Sequence, residues 1–112
     1  MKFMLFTYRD SSVQLDPEQR AAIPGAVQAW CEEMDGRGVR LEGHVLAPAA
    51  DSRTIEVRDG RLGVSAAPVR EGSLQIAGFN ILECDSLDEA IEVASKNPGA
   101  GFGVLELRPF AD

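Results

Sequence analysis

His44 is the one histidine of the chain, and among its side chains it is the best suited to proton transfer near neutral pH. On an alternating strand it shares a face with Arg40 and Glu42, so a neighbouring carboxylate would orient the ring. The plainer alternative is a partly exposed histidine on a polar edge strand. Tyr8 and Trp30 are candidates for lining a ligand cleft, since each joins a large apolar ring to a polar tip. Trp30 also falls on a helical apolar stripe, where it would serve as core. Glu71 could bring a charge to such a cleft, or cap and solvate its own loop. Glu106 and Arg108 alternate onto one face of the final strand and are expected to pair with neighbours or with a second copy.

Context removes other chemistries. Gly99, Gly101 and Gly103 are spaced like a nucleotide-binding loop, but they follow a helix and lead into a strand. A phosphate cradle needs the reverse order, so that free N–H groups at a helix start meet the anion. Cys31 and Cys84 form no Cys-x-x-Cys or Cys/His spacing, so neither a disulfide framework nor a metal site is expected. Both read as small buried apolar residues. The net charge is −7 and the eleven Lys and Arg residues are scattered, which argues against nucleic acid and for plain solubility. No apolar run could span a bilayer, and the N-terminus lacks a basic segment, a long apolar core and a cleavage site. The expectation is a cytoplasmic protein with no cofactor, no metal and no membrane partner.

The elements that must hold these residues are legible from pattern. Lys2 to Tyr8 is an unbroken aromatic and aliphatic run that reads as a buried strand. Asp16, Pro17 and Gln19 form a helix start with the ingredients of a capping box. Ile23, Val27, Trp30 and Met34 make the apolar stripe of that helix, with a kink or a break into two pieces expected at Pro24 and Gly25. Gly36 and Gly38 end it. Val39 to Leu46 alternates as a strand. Thr54 to Arg58 and Leu62 to Val64 read as a hairpin turned by Asp59 and Gly60. Gln75 to Cys84 is a further strand, and Ser86 with Glu89 caps a helix whose buried stripe is expected at Leu87, Ala90, Ile91 and Ala94. Gly103 to Arg108 closes the series.

A chain of 112 residues supports one domain with one core, spanning residues 1–112. The order β, α, β, hairpin, β, α, β fits an α+β, ferredoxin-like split βαβ plan: a four-stranded antiparallel sheet with two helices on one face. The other face carries apolar residues from several strands and needs a cover, which a second copy about a two-fold axis would supply. A homodimer is therefore expected.

The chain also resembles the YCII-related family, often called DGPF-domain proteins. The resemblance covers nearly its whole length. It is carried by Met1 to Tyr8, Asp16 to Glu18, Gly43 before Ala47 and Pro48, Thr54 to Gly60, Pro68, Glu71, Gly78 with Phe79, Leu87 to Ala90, Asn97 with Pro98, and Glu106 to Pro109. It implies a ferredoxin-like fold and a dimeric α/β barrel, an architecture shared with muconolactone isomerase-like proteins and small cofactor-free monooxygenases. Two departures stand out. The family's Asp-Gly-Pro-Phe segment stands here as Ala66, Ala67, Pro68 and Val69, and the histidine of the first helix in the better studied branch is missing. Both acid–base features are thus lost. Two functions remain: a small-molecule cleft with cofactor-independent acid–base chemistry of isomerase, lyase or dehalogenase type, using His44, or a non-catalytic ligand-binding or interaction module.

Overall fold

Alternation in the opening run decides the first layer. The computed structural model of the chain describes residues 1–111. Strand β1, Lys2–Asp10, buries Phe3 and Leu5 completely on one face and turns Met4, Phe6 and Tyr8 to the other. Helix α1 spans Pro17–Gly36. Its capping box is complete: the Asp16 carboxylate accepts from the Gln19 N–H at 2.7 Å, and the Gln19 side chain accepts from the Asp16 N–H at 2.9 Å. The expected break at Pro24 does not occur, and α1 is one continuous helix. Residues around Pro24 are mostly solvent-facing, so the carbonyl that proline leaves without a donor can bond to water. Only the second half of α1 reaches the core, through Trp30 and Met34.

The remaining elements are β2 (Arg40–Val45), a 3-10 turn (Ala49–Asp51), β3 (Thr54–Arg58), β4 (Arg61–Ser65), β5 (Leu74–Glu83), α2 (Leu87–Ser95), α3 (Gly99–Phe102) and β6 (Gly103–Pro109). The short turn of helix α3 is an addition to the expected plan. Four strands form one antiparallel sheet in the order β2-β5-β1-β6, the ferredoxin-like arrangement, while β3 and β4 make a separate hairpin. Asp59 and Gly60 take φ values of 54° and 74°, as a two-residue type I′ turn requires.

α1 and α2 cover the face of Phe3, Leu5 and Leu82, and Met34 and Val93 complete the set of large, fully buried side chains. Each such side chain stabilises by roughly 1.5–3 kcal/mol relative to exposure. Two expectations need correction at this layer. On α2 the buried residues are Ala90, Val93 and Ala94, while Leu87 and Ile91 are about half exposed. The helix is rotated so that its small residues sit close against the sheet. At its start, Ser86 accepts from the Glu89 N–H at 3.1 Å, but the Glu89 carboxylate reaches the N–H of Asp85, one residue earlier than a capping box would have it.

The second correction concerns β2. Arg40 pairs with Leu82 and Glu42 with the adjacent Ile81, so Leu41 is an extra residue in a bulge. The bulge reverses the alternation. Arg40 therefore lies on the helix-covered face, donating to the buried Asn80 at 2.9 Å and to Asp35 of α1 at 3.0 Å. It does not share the face of Glu42 and His44.

Candidate functional site

The sheet face turned away from the helices is built from two rows that cross all four strands. His44, Phe79, Phe6 and Glu106 stand side by side in one row, and Glu42, Ile81, Met4 and Arg108 in the next. Each row has an apolar centre and polar ends. His44 packs its ring against Phe79, 5.6 Å between centroids, and its Nε2 lies 3.2 Å from Glu42 Oε1. The histidine side chain is 60% exposed. Three strand spacings, about 14 Å, separate it from Glu106 within one subunit.

At one end of this face the sheet opens into a cleft of about 1120 Å³. Its walls come from the sheet end (Tyr8, Ile76, Val104, Glu106), the turn after β2 (Pro48, Asp51, Arg53) and the loop after β4 (Pro68, Arg70, Glu71). The Tyr8 hydroxyl donates to Glu106 Oε1 at 3.0 Å, and Arg108 bonds the other carboxylate oxygen of Glu106. Desolvation pushes the Tyr8 phenol up, helped by its bond to the Glu106 carboxylate, while Arg108 and Arg70 act in the opposite sense. The Arg108 guanidinium, and after it the Tyr8 hydroxyl, hold the Glu106 carboxyl below the usual range. The phenol is therefore a proton donor in a hydrogen bond and the carboxylate an ionised acceptor at any physiological pH. Neither titrates near neutrality. Such a pair can accept hydrogen bonds from a polar molecule and is not poised as a general base.

The chain belongs to the YCII-related domain family. The family's model matches residues 1–112 in full. An uncharacterized protein of Rhizobium meliloti (strain 1021) is 28% identical over 128 positions, covering 99% of this chain and 93% of that protein. Neither match names a reaction, so the residues of this YCII-related chain have to speak for themselves.

Of the four residues singled out from sequence, Tyr8 and Glu71 line the cleft together. Trp30 does not: it is 4% exposed in the core, and its indole N–H donates to the Val93 carbonyl at 2.9 Å. His44 lies on the open face, outside the cleft lining. The role of Glu106 as the partner of Tyr8 was missed. The two are 98 residues apart, and only the β1–β6 adjacency implied by ferredoxin-like strand order could have brought them together. Arg53 and Arg70 carried no motif, because loop cations reveal a role only once the loops are placed. Among the described residues no group of three or more His, Cys, Asp or Glu side chains could hold a metal ion. No described helix is long and apolar enough to cross a membrane.

Proposed function

We propose that this YCII-related protein binds a small polar organic molecule in the cleft at the end of its sheet, and works as a homodimer in which a second copy covers the open sheet face. The observation that carries the reading is the Tyr8–Glu106 pair, a phenol oxygen and a carboxylate locked together by their own hydrogen bond and left as acceptors in the wall of a cleft of about 1120 Å³. Small-molecule sites of this kind run to about 300–1,000 Å³, so the space suits a modest organic ligand with room for water. Arg70 and Arg53 add cationic donors, and Ile76, Pro68 and Val104 supply apolar contact. Pro68 and Val69, which the family resemblance sets at the Asp-Gly-Pro-Phe position, line the cleft.

Charge supports the dimer. Each row on the open face ends in an acid on one side and a basic side chain on the other: His44 against Glu106, Glu42 against Arg108. A two-fold axis along the strands would face His44 with the partner copy's Glu106 row end and Glu42 with its Arg108 row end. An axis across the strands would pair His44 with Glu42 and Glu106 with Arg108. Either rotation sets Arg108 against a carboxylate and gives the His44 ring a carboxylate to bond, around the apolar centre, at the roughly 10 Å separation of packed sheets.

A thermal-shift screen of small organic molecules tests the site. A ligand at about 100 times its Kd stabilises the native fold by about 2.7 kcal/mol, a rise of many degrees for a chain of this size. Tyr8→Phe and Glu106→Gln should lose most of that rise. Equal shifts in native protein and both variants, or no shift with any compound, would remove the reading.

One observation favours a second reading. His44 has a carboxylate within hydrogen-bond reach, the arrangement a proton-transfer histidine needs. In that case the chemistry is cofactor-independent acid–base work on a ligand enclosed between two sheet faces. Turnover abolished in His44→Ala but retained in Tyr8→Phe would favour it over simple binding.

A further inference from the structure

Four apolar side chains on the β3–β4 hairpin have no cover in the single chain. Ile55, Val57, Leu62 and Val64 share one face through the Ile55–Val64 and Val57–Leu62 pairs, and each is 58–69% exposed. The opposite face carries Thr54, Glu56, Arg58, Arg61, Gly63 and Ser65. Such a clean division marks a face built for burial. A two-stranded hairpin is marginally stable at best when left in water, and this one pairs with no strand of the main sheet. The chain is also drawn out. Its radius of gyration is 16.0 Å, against about 13 Å for a compact domain of this length.

We infer that the hairpin is an arm that seats on a second copy of this chain, its apolar face laid on that copy's open sheet face beside Ile76 and Val104. The inference rests on the homodimer reading and names the element that joins the two copies. Ile76 and Val104, which also line the cleft, pair with Tyr8 from either side and are 41% and 47% exposed, so a seated arm shares this apolar strip with a bound ligand. From Thr54 to Ser65 the hairpin balances two arginines against two acids, in a chain whose net charge is −7, so a neutral arm meets that acidic body without net repulsion. Two-fold symmetry lets each copy give one arm and receive one, so the contact closes at the dimer and does not propagate. One arm face and one sheet face together offer on the order of 600 Å² per copy, near the roughly 800 Å² per partner of stable interfaces. Arg53 and Thr54 at the root of the arm also line the cleft, so seating the arm fixes one wall of the ligand site.

The test is sedimentation velocity over a range of concentrations, comparing the native chain with the double variant Val57→Asp/Leu62→Asp. The native chain is expected to dimerise, and the variant's dissociation constant to rise roughly 100-fold or more. Both side chains are exposed in the single subunit, so the circular dichroism of the variant should match the native spectrum. A dimer of unchanged affinity in the variant overturns the arm while leaving the homodimer reading intact. A native chain that stays monomeric at all concentrations overturns both. Hydrogen exchange on the native chain gives an independent measure: amides of residues 55–64 should slow as concentration passes through the dissociation constant. Exchange that ignores concentration overturns the arm, whatever the variant does.

Discussion

Close approach at single residues sets the tightest constraints on this fold. A Cβ on Gly43 would collide with Asn80 Oδ1, the atom that accepts from Arg40. Gly43→Ala must displace that side chain, and a cost of about 1–3 kcal/mol in urea denaturation is expected. Gly101→Ala, with nothing within 4 Å of the new Cβ, should stay within about 0.5 kcal/mol of the native chain. A cost at Gly101 equal to that at Gly43 would break the packing account. Glu92 gives a pH test. Arg37 and, after it, Lys96 depress its carboxyl from 4.5 to about 2 in the folded chain. The unfolded chain then binds more protons between those values, so stability falls as pH drops from about 4.5 through about 2. Glu92→Gln should flatten that acid limb in pH-dependent melting, and an unaltered limb would refute the assignment. At this scale the sequence disclosed the neighbours two positions apart, Glu42 with His44 and Glu106 with Arg108. It hid the face of Arg40, because a bulge is a backbone irregularity that alternation cannot register.

Elements were legible wherever their signals are local. The Asp16–Gln19 box and the Asp59–Gly60 turn are written in adjacent residues and appear as read, because capping and positive φ depend on side chains nearby in sequence. The buried face of α2 is a different matter. Leu87, Ala90, Ile91 and Ala94 form as good a stripe as Ala90, Val93 and Ala94, and the choice between them falls to the sheet that the helix meets. The sheet took the narrower residues. Substitution separates the two faces: Met34→Ala, in a fully buried position, should cost about 2–5 kcal/mol, whereas Ile91→Ser should cost no more than about 0.5 kcal/mol in the same chemical denaturation series. A larger loss at Ile91 than at Met34 would reverse the orientation assigned to α2.

For the whole molecule, the decisive feature is an antiparallel sheet covered by helices on one side only. Strand order followed from the alternation of elements and from the family resemblance, and residues 1–112 match the YCII-related model throughout. The cleft was not visible in advance, since it lies where the turn after β2 and the loop after β4 meet the sheet end, and no local pattern reports that meeting. The open face leaves Met4, Phe6, Phe79 and Ile81 without a covering layer, with His44 and Glu106 ending one row and Glu42 and Arg108 the other. Covering it with a second copy is the claim from which the enclosed ligand site and the exchanged arm both follow. Light scattering on the eluting native chain at micromolar concentration tests that claim most directly. A mass twice the 12.1 kDa of one chain is the expected result, and a single-chain mass that persists as concentration rises would contradict it.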